Sequence, residues 1–213
     1  MKPFIAALLA AAALAPTAQA NLVTNGSFED PALDLVLTDG LNPVLYRYGR
    51  IDPALLTGWS VSGSGLGLVD GVPGGWVAGA GDQYINLESG FVGAINQTVA
   101  TTPGQRYTFS FLYAPDPFAN GNDDALRVFW DGQLLDTVDG TDVTLEDLTW
   151  HLISYEVTAT AAGTVLGFED TPGTSFVGAY LDDVQLAPAP VPLPGAALLF
   201  GSGLLALGLR RRA

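Results

Sequence analysis

Arg106-Tyr107-Thr108-Phe109-Ser110-Phe111-Leu112-Tyr113 is the stretch whose reading decides the fold. Tyr107, Phe109, Phe111 and Tyr113 fall on one face of an extended chain, and Thr108, Ser110 and Leu112 on the other. A spacing of two is the side-chain period of a strand and not of a helix. The turn Thr102-Pro103-Gly104 precedes it, and Gly93 to Val99 and Asp82 to Leu87 read as earlier strands. Downstream, Leu126, Val128 and Trp130 alternate with Arg127 and Phe129, and Asp131-Gly132 is a two-residue hairpin turn into Leu134 to Val138. Trp150 to Thr160 sets Ile153, Tyr155 and Val157 against Ser154, Glu156 and Thr158. Thr164, Leu166 and Phe168 make one more short strand, and Gly178 to Leu186 closes the series. From Pro31 to Gly81 the chain reads as loop-rich. It holds a short apolar piece at Leu33 to Leu37, one strand at Leu56 to Val61 and turns near Ser62 to Gly67 and Pro73 to Trp76. No stretch keeps a helical period. Short strands divided by regular turns predict an all-β protein, an antiparallel β-sandwich.

The two ends read differently from the middle. Met1-Lys2, the apolar run Phe4 to Leu14 and Ala18-Gln19-Ala20 follow the order of a secretory signal peptide, which predicts cleavage after Ala20. At the far end, Val191-Pro192-Leu193-Pro194 precedes an uncharged run to Leu209 and then Arg210-Arg211-Arg212. As a helix that run spans about 25 Å, slightly short of the ~30 Å hydrocarbon core. The arginines would hold the C-terminus on the cytoplasmic side and leave everything before the run outside. The expected organisation is therefore a signal peptide at 1–20, a β-sandwich at 21–187 and a tail with a short transmembrane helix at 188–213.

The middle segment of about 165 residues is long enough for one domain with its own core. It carries all 22 acids and only Arg47, Arg50, Arg106 and Arg127, a formal charge of −18. That sign excludes nucleic acid and anionic lipid as partners. With no cysteine, no disulfide staples it. Cysteine nucleophiles and the G-x-S-x-G elbow are absent, and a single histidine, His151, rules out a histidine-based zinc site. The glycines at 63, 65 and 67 mimic part of a phosphate loop, but no helix pattern follows them. Carboxylate pairs for glycoside hydrolysis are too easily found among 22 acids to carry meaning.

The tail resembles the PEP-CTERM sorting signal of Gram-negative bacteria, which an exosortase in the inner membrane reads and cuts. Leu193 stands where that family usually carries an acid; a leucine form followed by Gly-Ala is also similar to it. In the middle segment, several pieces occur in a familiar order: Leu22-Val23-Thr24-Asn25-Gly26-Ser27-Phe28-Glu29, Gly58-Trp59, Gln83 to Leu87, Ile95 to Val99 with Thr102-Pro103-Gly104, and Tyr180-Leu181-Asp182-Asp183-Val184. Together they resemble the galactose-binding-like jelly roll shared by many carbohydrate-binding modules and by exported bacterial choice-of-anchor proteins. The resemblance implies a non-catalytic surface or matrix protein, anchored in the inner membrane as a precursor and then released. Its partners would be an exosortase and an exopolysaccharide or cell-surface glycan. The rival readings are an acidic matrix protein without a sugar site, or a glycoside hydrolase.

Sugar binding asks for flat aromatic surfaces with polar groups beside them. Loop positions offering these are Tyr46, Tyr48, Trp76 and Phe118, with Asn120, Asn122 and Asp124, whereas Trp59 and Trp130 read as core. A metal site is expected near the closing strand. Leu181 and Val184 both want the core but lie three positions apart, so a bulge at Asp182-Asp183 must reconcile them and swing one carboxylate out of the sheet. The resemblance places a structural calcium ion (Ca2+) there, held by Glu29 and Asp183, with Asp182 the alternative, and by backbone carbonyls near Asn25. Oxygen-only ligands suit that cation.

Overall fold

The computed structural model describes residues 20–33, 40–42, 46–63, 66–71, 76–87, 93–117, 125–139, 148–171 and 178–190. Residues 1–19 of the expected signal peptide and the expected sorting residues Val191, Pro192, Leu193, Pro194, Arg210, Arg211 and Arg212 lie outside them.

Twelve strands run through the described residues, in chain order β1 (Gly40–Asn42), β2 (Tyr46–Ile51), β3 (Ser60–Gly63), β4 (Leu66–Gly71), β5 (Gln83–Asn86), β6 (Gly93–Ala100), β7 (Arg106–Ala114), β8 (Leu126–Trp130), β9 (Gln133–Val138), β10 (His151–Thr158), β11 (Gly163–Asp170) and β12 (Tyr180–Pro188). They form a seven-stranded sheet, β1-β2-β4-β5-β12-β7-β10, and a five-stranded sheet, β3-β6-β11-β8-β9. Every pairing is antiparallel. The chain passes repeatedly from one sheet to the other, so several neighbours within a sheet, such as β5 with β12 and β6 with β11, are distant in sequence. This is the expected jelly-roll sandwich.

Alternation decides what lies inside. Tyr107, Phe109, Phe111 and Tyr113 of β7 point between the sheets with Leu126 and Val128 of β8, Leu166 and Phe168 of β11, and Leu181 of β12. Phe111 meets Phe168 edge to face at 4.9 Å. Phe28, predicted as a core plug, is fully buried against Trp59 at 5.5 Å. Asp131 and Gly132 both have positive φ (52° and 75°), the twist a two-residue hairpin between β8 and β9 demands.

Two boundaries need correction. The region from Pro31 to Gly81 is not mainly loop: β1, β2 and β4 lie in it, and the strand predicted at Leu56 to Val61 begins only at Ser60, after a 3-10 turn at Pro53–Leu55. Residues 66–70 of β4 are buried on both faces, so they show no alternation to read. The sandwich also runs past residue 187. Pro188 pairs with Tyr107, and Ala189 donates from its N–H to the Arg106 carbonyl (2.8 Å).

The outer faces of the two sheets are unlike. A second apolar layer of Val69, Trp76, Tyr84, Ala114, Leu148 and Tyr180 covers the seven-stranded sheet around β4, β5 and the start of β12, while Leu152 on the outer side of β10 stays 69% exposed. The crossing segment is fastened by Trp150, whose indole N–H donates to the Val77 carbonyl (3.0 Å). The five-stranded sheet carries no such described layer.

Candidate functional site

The opening segment is laid along the closing strand. Leu22 N–H donates to the Leu186 carbonyl (2.9 Å), and Val184 N–H to the Gly26 carbonyl (2.8 Å). Gly26 has to be glycine, because a Cβ there would sit 2.1 Å from the Val184 carbonyl oxygen. Asn25 has the positive φ (51°) that Asn tolerates. Its side chain holds the turn, donating to the Asp30 carbonyl (2.6 Å) and accepting from Asp30 N–H (3.1 Å). The Asn25 carbonyl accepts from the Trp59 indole (3.0 Å).

The closing strand has the predicted bulge. Its register against β7 shifts between Asp182 and Gln185, Asp183 takes φ 45°, and Leu181 and Val184 are both fully buried. The carboxylate that meets the opening segment's surroundings is that of Asp182. Asp182 is 0% exposed; its Oδ2 accepts from Ala80 N–H (2.8 Å) and its Oδ1 from Asp183 N–H (2.6 Å). Glu29 takes the other side of the same loop: its Oε1 accepts from Asp82 N–H (2.9 Å) and Gln83 N–H (3.0 Å). Gly81, at φ 70°, lets the loop close on that carboxylate, where a Cβ would stand 2.2 Å from Oε1. Asp183 accepts from the Gln185 side-chain amide (2.8 Å) instead. Burial pushes the Asp182 carboxyl up to about 8, against the pull of its backbone N–H donors and with a smaller push from Asp183. Among the described residues no three His, Cys, Asp or Glu side chains converge on one point.

The ligand candidates fare unevenly. Tyr46 and Tyr48 belong to strand β2, in register with Gly71 and Val69, and not to a loop. Trp76 is 1% exposed and packs against Tyr180, its ring tilted 56° at 6.2 Å. A ring sealed in the second apolar layer is no open platform, which corrects that expectation. Phe118, Asn120, Asn122 and Asp124 lie outside the described residues. His151 opens β10 as expected, half-buried in register with Tyr113.

An aromatic among polar groups does occur, in a place that loop-centred reading passed over. On the outward face of the five-stranded sheet, register aligns Ser60, Asn96, Gly167, Phe129 and Leu134 in one row across all five strands. The next row holds Ser62, Ala94, Glu169, Arg127 and Thr137. Arg127 Nη1 pairs with Glu169 Oε1 at 2.6 Å, and the guanidinium lies 5.1 Å from the centre of the half-buried Phe129 ring. The signal was present in β8, where Phe129 shares the polar face with Arg127.

The sequence matches no family model, and no curated protein matches it. Solved structures similar to the chain include a family 61 carbohydrate-binding module in complex with β-1,4-galactotriose, 17% identical with a TM-score of 0.47, covering 79% of this chain and 99% of that one. A family 35 carbohydrate-binding module from Clostridium thermocellum is 16% identical with a TM-score of 0.42, covering 67% and 98%. A structure described as that of a CBM4 is 17% identical with a TM-score of 0.37, covering 78% and 99%.

Proposed function

We propose that this chain is an exported, non-catalytic β-sandwich that binds or organises polysaccharide at the cell surface or in the extracellular matrix. The observation that carries the reading is the asymmetry of the sandwich. One outer face is partly covered by its own apolar layer; the other presents a partly exposed aromatic ring among amide, hydroxyl and ion-paired side chains. Flat apolar surface next to hydrogen-bonding groups is what a sugar ring requires. The tail supports the delivery route: Val191 to Pro194 for an exosortase, the uncharged run as a passing membrane anchor, and Arg210 to Arg212 as the cytoplasmic stop.

Calcium belongs to the same proposal as a structural ion. Glu29 and Asp182 bring hard oxygen donors to the two sides of the 80–83 loop, and a divalent cation would relieve the burial of the Asp182 carboxylate. Asp182 and Glu29 both reach the 80–83 loop, whereas Asp183 turns to the Gln185 amide, so Glu29 with Asp182 fits the ion better than Glu29 with Asp183.

A glycan array probed with residues 21–190 tests the function. Retention on at least one polysaccharide, without turnover, is the expected result. An array that stays blank at millimolar sugar overturns the reading in favour of a purely structural acidic protein.

A further inference from the structure

Both ways out of the sandwich lie at one end of it. β12 runs toward the turns 101–105 and 159–163, and its last residues are held there: Pro188 pairs with Tyr107, and Ala189 N–H donates to the Arg106 carbonyl (2.8 Å). Ala189 is 4% exposed, so the chain stays fastened up to Pro190. The opening segment lies along β12 in the reverse sense. Gly26 is bonded to Val184 and Leu22 to Leu186, so Asn21 and Ala20 head for the same end. That end is tightly knit. Thr101 N–H donates to the Ala162 carbonyl (3.0 Å), the Thr101 hydroxyl to the Ala161 carbonyl (2.8 Å), Gly104 N–H to the Ala159 carbonyl (2.8 Å) and the Thr160 hydroxyl to Asp131 Oδ2 (2.9 Å). It is also nearly free of charge in a domain of −18. Across residues 101–106, 131–132 and 159–163 the charged side chains are Arg106 and Asp131, one of each sign.

We propose that this turn end is the surface that meets the lipid headgroups while the chain is anchored, an orientation that rests on the reading of the tail as a membrane anchor. Chain length sets the distance. Five residues lead from Ala189 to Pro194, where the uncharged run begins, and at ~3.6 Å each they reach no farther than about 18 Å. The headgroup layer takes roughly 5–8 Å of that, which leaves the turn end within about 10–13 Å of the membrane surface. Charge sets the posture. Tilted onto a side, the domain would press exposed Asp136 of β9 and Glu156 of β10, or Glu169 on the outward face of the five-stranded sheet, against anionic lipid. Standing on its turn end, it presents threonine, proline, glycine and alanine, with Arg106 exposed beside the tether as a donor to a lipid phosphate. The outward face of the five-stranded sheet then runs away from the membrane, where a polymer can reach it.

The chain has no cysteine, so a single introduced one is a unique label site. The test puts a fluorophore on the full-length chain at Thr102→Cys or Ala161→Cys, exposed at the turn end, and at Ser62→Cys or Leu152→Cys, exposed farther up each sheet. Leu152 is in register with Leu112 and Ser62 with Ala94, each six residues along its neighbouring strand from the turn end, about 20 Å. Each protein is reconstituted in vesicles of phosphatidylethanolamine and phosphatidylglycerol that carry a nitroxide on the headgroup. Flotation shows that the chain is anchored, and circular dichroism melts show that it is folded; two positions at each level keep the comparison if one variant does not fold. Over that separation, quenching at Thr102 and Ala161 should be about threefold or more that at Ser62 and Leu152. Equal quenching at the two levels, or stronger quenching at Ser62 or Leu152, in protein that floats overturns the orientation and leaves the anchor reading intact. Protein that does not float with the vesicles overturns the anchor reading and the orientation with it.

Discussion

Gly26 and Gly104 separate two reasons for a glycine that are usually confounded. Gly104 has φ 80° with nothing within 4 Å of its would-be Cβ, whereas Gly26 lies outside the left-handed region yet abuts the Val184 carbonyl. Gly104→Ala should therefore lose only the left-handed penalty, about 1 kcal/mol. Gly26→Ala has to part the opening segment from β12 and should reach or exceed the ~3 kcal/mol end of overpacking costs. Urea midpoints at constant slope measure both; equal losses would refute the close-approach argument. Asp182 gives a pH signature of its own. Its folded carboxyl is raised to about 8 from 3.8, so the folded state holds a proton that the unfolded chain releases. That stabilisation is fully present below the ordinary carboxylate range and is lost as pH rises to about 8. In chelator, stability should fall from pH 4 to 8, and Asp182→Asn should flatten the slope. Calcium should oppose the fall, adding about 2.7 kcal/mol when the free ion is at 100 times its dissociation constant. A melting midpoint indifferent to calcium at pH 8 would remove the ion from the account.

At the scale of elements, β12 depends on its extra residue. Because side chains alternate, removing one residue from the bulge would turn Val184 and Leu186 to the outside. Deletion of Asp183 should abolish cooperative unfolding, while Asp183→Gly, which relaxes a φ of 45°, should stabilise by up to about 1 kcal/mol. A deletion variant that still melts cooperatively near the wild-type midpoint would contradict the register. This bulge was legible in the sequence because Leu181 and Val184 set an odd step against a period of two. So were β6, β7, β8 and β11, where alternate residues are buried, and β9 through its Asp131-Gly132 turn. What stayed hidden was β4, apolar on both faces, and β2, whose Tyr-Arg-Tyr-Gly-Arg-Ile pairs inside a sheet rather than capping it. Trp76 misled for a related reason. An aromatic beside Pro-Gly-Gly reads as exposed, and only the tertiary fold shows a second apolar layer ready to bury it. Phe129 was visible on the polar side of its strand, but its neighbours Asn96, Gly167 and Glu169 come from strands far along the chain, and no local pattern announces them.

For the whole molecule, the proposed delivery route predicts that the tail acts as a unit. Arg210, Arg211 and Arg212 replaced by Ala should leave unprocessed precursor, and deletion of Pro192 to Pro194 should strand the protein in the membrane. Fractionation and blotting read both; a deletion variant found outside the cell at mature size would defeat the sorting reading. The central claim is that the outward face of the five-stranded sheet is the working face. Amide chemical-shift mapping of residues 21–190 during titration with a neutral oligosaccharide retained on the glycan array tests it most directly. Shifts should concentrate on β3, β6, β11 and β8, with Asn96, Arg127 and Phe129 among the largest, and spare Trp76 to Leu87 and Trp150. Shifts that gather instead on the segment over the seven-stranded sheet would contradict it.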